Sequence, residues 1–322
     1  MNTKEISELT LRPVRWDDVH AIAKLIYAVN EADGDAEVAD TPEEIEHGWH
    51  SPGFNPETDA FVIENHEKQI IGFWEVFNGD EHAQIELDGY IHPDYKDSSV
   101  AELLIRHAEE RAMQHIPLAV ADVRVFIRSG MSIKDKHMQA LHEKFGYKIV
   151  RYFWRMEIKL ENAQEPQPLA DGVEFRPFIK EEHARMVWEV DNEAFRDHWG
   201  SHDSKYEEWH QRKLDRPEFD PTLWLIAWDG DQIAGYSQNR YINEIGWIGT
   251  LGVRRPWRKK GLGLALLTHS FAEFYKRGTK TIGLGVDASN PTGATRLYQK
   301  AGMTAASEYI AYEKELRAGK SE

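Results

Sequence analysis

The chain repeats itself, and the repeat constrains its folding more than any other feature. Leu11-Arg12-Pro13 returns as Phe175-Arg176-Pro177. Phe61 to Phe73 (FVIENHEKQIIGF) returns as Trp224 to Tyr236 (WLIAWDGDQIAGY). Ile91 to Lys96 (IHPDYK) returns as Val253 to Arg258 (VRRPWR). The three matches keep nearly the same offset, close to half the chain. An offset of that size makes two copies of a domain-sized unit, in keeping with a chain of 322 residues at roughly 100–200 per domain. Asn162 to Asp171 (NAQEPQPLAD) has two prolines and no periodicity and reads as a linker. The expected organisation is an N-terminal copy over 1–160, a linker over 161–171 and a C-terminal copy over 172–322.

Each copy reads as strand, one or two helices, three strands, helix, strand, helix, strand. In the second copy the strands fall near 172–178, 222–228, 231–241, 244–253, 280–287 and 304–315. Helices fall near 180–195, 203–213, 261–277 and 291–301. The matched segments at Phe61 and Trp224 are strand, polar turn and strand, which is a hairpin signal. Strands separated by helices predict an α/β fold, with a mixed sheet flanked by helices in each copy. A cleft at the ends of the central strands is then the natural ligand site.

Composition narrows the function. There is no cysteine, which excludes disulfides, a cysteine-ligated zinc and a thiol nucleophile. No apolar run is long enough to span a bilayer and the start is not a signal peptide, so the expectation is a cytoplasmic protein with no membrane partner. The net charge of −16 argues against nucleic acid as a partner. Residues 1–160 carry 17 basic and 30 acidic side chains, which leaves 22 and 25 for the rest. The second half is nearly neutral because of the run Arg254-Arg255-Pro256-Trp257-Arg258-Lys259-Lys260. Such a run is either a solvated surface or the site of an anionic ligand.

The run leads into Gly261-Leu262-Gly263 and an apolar helix. Glycines let backbone N–H groups approach a ligand closely. A helix N-terminus favours an anion. Together with Arg258, Lys259 and Lys260 this is diphosphate-binding chemistry, although a glycine-rich strand-to-helix turn reads the same way. It lacks the Gly-Lys-Ser/Thr of a P-loop and the dinucleotide spacing. A second element runs from Asn290-Pro291 to Gly302. Asn290 reads as an N-cap, Pro291 as the first helical residue and Gly302 as the stop. Ala294, Tyr298 and Ala301 share one face of that helix. Tyr298 is either a core tyrosine or a proton donor.

R-x-x-G-x-G after a strand, followed further along by strand, Asn, helix, Leu-Tyr and Gly, resembles the Gcn5-related N-acetyltransferase (GNAT) superfamily. The resemblance covers the element order of residues 172–316, and the tandem pair looks most like the mycothiol synthase branch. It implies two tandem GNAT-like domains and an acetyl-CoA-dependent N-acetyltransferase acting on a primary amine by direct attack. Acetyl-CoA is then a cosubstrate, with no metal. By the same resemblance, Arg258, Lys259, Lys260, Gly261, Leu262 and Gly263 hold the CoA diphosphate. Leu251, Gly252 and Val253 pair with the pantetheine arm, and the amide near Leu251 polarises the thioester carbonyl. Asn290 contacts the arm and Tyr298 protonates the leaving thiolate. The acceptor is expected to be a small-molecule amine, with a peptide or protein amine, or a non-catalytic acyl-CoA sensor, as rivals.

The first copy departs at each point. Its loop is Lys96-Asp97-Ser98-Ser99-Val100-Ala101, with Ser99 for the first glycine and an acid close before it. Lys134 stands at the Asn290 position and His142 at the Tyr298 position. Residues 1–160 are therefore expected to be a non-catalytic copy. The general base has two candidates. Glu244 begins the fourth strand or is an exposed turn residue, and Asp287 ends the fifth strand or caps a loop. Asp191, Glu193, Phe195, His198, Trp199, His202 and Trp209 occupy the segment that lines the acceptor pocket in the family. His198 and His202 have the i, i+4 spacing of a helical metal pair, without a third ligand.

Overall fold

The computed structural model describes residues 9–96, 98–290 and 293–320. The chain folds as two compact units, residues 1–152 with 309–322, and residues 153–308. These bounds differ from the expected copies at 1–160 and 172–322. Residues Phe153–Lys159 pair antiparallel with Asp287–Thr281 of the second unit. Residues Tyr309–Arg317 pair antiparallel with Ser132–Val125 of the first. The last strand of each sequence copy thus completes the sheet of the other unit. Backbone hydrogen bonds and apolar alternation are satisfied equally by a strand from either copy, so the repeat alone does not decide which one fills the place.

In the first unit the sheet order is β1 (Thr10–Pro13), β2 (Ala60–Glu64), β3 (Ile70–Asp80), β4 (Gln84–Ile91), β5 (Val125–Ser132) and the Tyr309–Arg317 part of β12 (Thr304–Arg317). Its helices are α1 (Val19–Asp33), α2 (Pro42–Trp49), α3 (Pro56–Asp59), α4 (Ser98–Met113) and α5 (Lys136–Lys144). Among the described residues β4–β5 is its one parallel pair. Alternation along β2 divides the core. Ala60 and Val62 face α1 and α2, with Ile22, Ile26 and Trp49. Phe61 and Ile63 face α4, with Leu104, Ile105 and Ala108. The start of α2 is fixed by Thr41 and Glu44, which cap each other's backbone N–H.

In the second unit β6 (Lys148–Lys159), from Phe153 on, lies beside β11 (Thr281–Asp287), followed by β10 (Ile245–Val253), β9 (Gln232–Ile242), β8 (Leu225–Asp229) and β7 (Val173–Arg176). The helices are α6 (Lys180–Phe195), α7 (Tyr206–Leu214), α8 (Leu262–Lys276) and α9 (Ala294–Lys300). Here β10–β11 is the parallel pair. Ile226, Trp228, Ile233 and Tyr236 pack under α6 and α7 with Val187, Val190 and Trp209. On the opposite face Leu267, Phe271 and Phe274 of α8 pack with Ile248, Ile282 and Leu284. A Cβ on Gly246 would stand 2.7 Å from the Phe274 ring, so α8 sits directly on the β10 backbone. Every expected strand and helix of the second copy is present, shifted by a few residues at its ends.

Candidate active site

The site in the second unit begins with a divergence of strands. β10 and β11 are paired at Gly246–Ile282 and Trp247–Gly283. Beyond that the ladder stops, although β10 continues to Val253 and β11 to Asp287. Two features produce the split. The Trp247 indole lies against Gly283, where a Cβ would come within 2.8 Å of it. The β9–β10 register also slips between Ile248 and Thr250, a bulge at Gly249. A bulge bends its strand and raises the local twist. Leu251, Gly252 and Val253 remain bound to β9 through Ser237, Tyr236 and Gly235, and their other edge faces the opening.

Past Val253 the chain makes a short turn at Arg255–Trp257 and then the expected loop. Lys259 has φ 62° and Gly261 φ 85°, so two left-handed residues turn the backbone just before α8. Gly261 is the N-cap of α8 and offers it no side-chain acceptor, so the first amides of the helix face outward. A Cβ at Gly261 meets no atom within 4 Å. The space beside that glycine is open. Gly263 differs, since a Cβ there would press on Leu297 Cδ1 at 3.3 Å. Its missing side chain lets α8 and α9 approach, which is a packing role.

The basic run divides in two. Arg254 pairs with Glu193 at 2.8 Å. Arg255 and Arg258 share Asp197, at 2.6 and 3.4 Å, and they hold its carboxyl below the usual range. Arg258 also donates to the Val253 and Ala194 carbonyls, each at 3.0 Å. Its guanidinium therefore braces the loop against the end of α6. Lys259 and Lys260 are exposed and supply solvated positive charge beside Gly261.

Tyr298 projects from α9 into the core of Leu251, Leu267, Phe271, Val286 and Leu297. It is 9% exposed, and burial pushes its phenol up to about 12. The hydroxyl is therefore protonated throughout the neutral range. Ala294 and Ala301 share this packing, as their spacing predicts. The helix start is a correction. The N-cap is Gly293 at φ 80° and α9 begins at Ala294, while Pro291 lies outside the described residues. Asn290 instead stands in a turn, its N–H donating to the Asp287 carbonyl at 3.1 Å and its carbonyl accepting from Gly293 N at 3.4 Å.

Of the two candidate bases, Asp287 is at the site and Glu244 is not. Asp287 ends β11, and its Oδ1 accepts from Ser289 N at 2.8 Å. Glu244 is exposed in the β9–β10 turn. The run of strand between it and Leu251, at ~3.3 Å per residue, puts the two about 23 Å apart. The sequence makes it a strand start because no glycine or proline marks that turn; Asn243 forms it, at φ 51°.

The segment expected to line the acceptor pocket is partly structural. Trp209 is fully buried and donates to Asp191 Oδ2 at 2.7 Å, while Tyr236 OH donates to Asp191 Oδ1. His198 and His202 lie outside any helix, so their spacing makes no helical metal pair, and no metal-holding cluster occurs among the described residues. Burial lowers the His198 imidazole below its usual range, Arg258 assists and Asp287 opposes. Its Nδ1 is buried without a hydrogen-bond partner among the described residues. Sequence reasoning misses two residues of this region, Lys213 and Gln238. Lys213 Nζ donates to Thr250 Oγ1 at 2.8 Å, and Gln238 lies opposite Thr250 in the ladder.

The first unit differs among its described residues. α4 spans Ser98–Met113, and Lys96 binds Asp135 at 2.9 Å. Asp97 lies outside the described residues. His142 is fully buried, with Nδ1 2.9 Å from the Met138 carbonyl and its ring stacked on Trp74. A Cβ on Gly89 would come within 2.3 Å of the Trp74 ring, so that indole fills the space beside β4.

On the other face of this sheet, burial beside Asp88 pushes the Glu75 carboxyl up to about 8. The unfolded chain releases this proton near 4.5 and the folded chain keeps it until about 8, so stability falls as pH rises through that window. Glu75→Gln keeps an acceptor for Trp49 Nε1 and removes the ionisation. The residue retains some solvent contact, so the expected gain at pH 8.5 is about 2 kcal/mol, below the ~5 kcal/mol of a dry site. It should fade as pH falls through 4.5 and vanish below that. Urea melts of both proteins at the two pH values check it.

With this geometry in view, the comparison with known families is decisive. Residues 16–147 and 184–303, most of the chain, each match the Acetyltransferase (GNAT) family. The chain belongs to the GNAT family. It is an acyltransferase with two GNAT domains in tandem. A GCN5-related N-acetyltransferase from Sphaerobacter thermophilus is 31% identical, with a TM-score of 0.81 over 98% of both chains. A tandem GNAT protein from the clavulanic acid biosynthesis pathway shares the fold at 15% identity, with a TM-score of 0.75 over 98% of this chain and 100% of that one. A mycothiol acetyltransferase of Geodermatophilus obscurus is 24% identical over 89% of this chain and 91% of its own. Another from Pseudarthrobacter chlorophenolicus is 27% identical over 66% of this chain and 65% of its own. No helix among the described residues is long and apolar enough to cross a membrane.

Proposed function

We propose that the second unit transfers an acetyl group from acetyl-CoA to the primary amine of a small molecule by direct attack. The observation that carries this reading is the uncapped start of α8, entered through left-handed Lys259 and Gly261, beside an opening between β10 and β11. Outward N–H groups and a positive helix end suit a diphosphate. Lys259 and Lys260 add charge, Leu262 opens the helix, Gly263 admits α9, and Arg258 braces the loop. The free edge of Leu251, Gly252 and Val253 suits an extended amide-bearing arm, which would add to it as a strand does. Asn290 would contact that arm.

The amine nitrogen attacks the thioester carbonyl, the C–S bond breaks and the thiolate leaves. An amide near Leu251 supports the oxyanion. A lysine-like amine has a pKa of about 10.4 and must lose its proton first. Asp287 takes that proton, with neutral His198 beside it as a relay. Tyr298 gives its proton to the sulfur. Both substrates are held together, so no covalent enzyme intermediate is needed. The matching relatives carry the name mycothiol acetyltransferase. At their identities that supports the chemistry more than the acceptor.

The experiment is thiol release from acetyl-CoA across a panel of small amines, with mass spectrometry of the products. Saturable, amine-dependent release with an acetylated product is expected. Tight acetyl-CoA binding with no transfer to any amine, peptide or protein would make the protein a sensor and defeat the proposal.

A further inference from the structure

The face of the sheet beneath α6 and α7 carries a polar group with no partner among the described residues. Gln238 is 4% exposed, and both its side-chain Oε1 and Nε2 are buried without a hydrogen bond. Buried amides are normally paired, and an orphan calls for a partner such as a water, an ion or a ligand. Gln238 stands opposite Thr250, at the bulge of β10. Directly opposed residues of an antiparallel pair share a face. Thr250 is also where Lys213 arrives from α7, its Nζ 2.8 Å from the Thr250 hydroxyl. That is the hydrogen bond Nζ makes among the described residues, and an ammonium has three donors to give.

Charge around Lys213 is mostly positive. Arg212, Arg216 and Arg240 all act on it, and Asp191 opposes them. Both oxygens of Asp191 are already engaged, by Trp209 Nε1 and by the Tyr236 hydroxyl. Lys213 is half-buried, and burial lowers its ammonium to about 8. The orphan amide and this lysine therefore meet at the strand bulge, beside the opening where acetyl transfer is proposed. Acids and aromatics in the α6–α7 segment would suit a plain cationic amine, but Asp191 and Trp209 are spent on structure.

We infer that the acceptor is a small amine that also bears an anionic group, carboxylate or phosphate, held by Lys213 Nζ and the Gln238 side-chain amide beside Thr250. Gln238 Nε2 donates to the anion, and its Oε1 is left to accept from the acceptor amine. This deepens the acetyl-transfer reading and rests on it for the position of the amine. The anion site itself is testable without turnover.

The test is calorimetric binding to the full-length protein saturated with CoA, using matched probes. Free amino acids, β-alanine and 4-aminobutyrate are compared with their uncharged amides, and glucosamine 6-phosphate with glucosamine. The anionic member of at least one pair should bind tenfold or more tightly, and which pair responds tells carboxylate from phosphate. Lys213→Met should abolish that preference, leave binding of the uncharged member unchanged and leave acetyl-CoA affinity within twofold. Lys213→Arg should restore most of it. Gln238→Leu should weaken the anionic probe while raising the melting temperature, because an unpaired amide leaves the core. Equal binding of charged and uncharged members, or a Lys213→Met loss shared by both, would overturn the inference. Anion-selective binding without acetylation would uphold it and defeat the transferase reading. Acetylation of neutral amines without anion preference would do the reverse.

Discussion

Tyr298→Phe is expected to lower turnover by about 10²-fold while leaving the fold and acetyl-CoA affinity nearly unchanged. Phenylalanine preserves the ring among Leu251, Leu267 and Phe271 and removes only the hydroxyl. General-acid catalysis is worth 10²–10⁴, and the low end applies because a CoA thiolate is already a fair leaving group and water can substitute. The phenol sits at about 12 through burial. It is therefore protonated when acetyl-CoA binds, and gives its proton up only as charge develops on sulfur. Binding should change little, since that charge is absent in the ground state. No hydrogen bond of the hydroxyl is lost among the described residues, so the melting temperature should hold or rise slightly. Steady-state kinetics, CoA binding and thermal melting on one preparation check all three. Full turnover would make Tyr298 a packing residue.

Gly261→Val is expected to weaken acetyl-CoA binding at least tenfold. The backbone there has φ 85°, a conformation that costs a β-branched residue roughly 1–3 kcal/mol. The loop would relax away from it, and the first amides of α8 would lose their direction. Each charge-assisted hydrogen bond lost is worth about 1.5–3 kcal/mol, and ~1.4 kcal/mol is tenfold in affinity. The core should be untouched, because a Cβ at Gly261 meets nothing within 4 Å. Titration with acetyl-CoA, alongside a melting curve, separates binding from folding. Unchanged affinity would mean that the diphosphate lies elsewhere.

Much of this is legible in the sequence because period and punctuation are local properties. The hairpin at Trp224 to Tyr236 follows from alternation around a polar turn. The loop at Gly261 follows from glycine and charge after a strand. Other parts depend on contacts between distant residues. Asn290-Pro291 carries a strong helix-start signal, yet Asn290 closes a turn on Asp287 and α9 starts only at Ala294, behind Gly293. Arg258 reads as a ligand cation, but Asp197 and two carbonyls claim it. Lys213, between Arg212 and Arg216, reads as a solvated helix face, and only the fold brings it to Thr250. Gln238 sits in the polar run Ser237-Gln238-Asn239-Arg240 of β9, and nothing local says that its amide is buried without a partner. The exchange of last strands leaves no mark in a repeat whose copies offer equivalent edges.

The stoichiometry of CoA binding tests the central claim most directly. Left-handed Lys259 and Gly261 open α8 in the second unit, while in the first Asp135 holds Lys96 and Trp74 fills the space beside Gly89. Calorimetric titration of the full chain with CoA should therefore give one site per chain, and Gly261→Val should remove or severely weaken that site. Two equivalent sites, or a single site indifferent to Gly261→Val, would contradict the account.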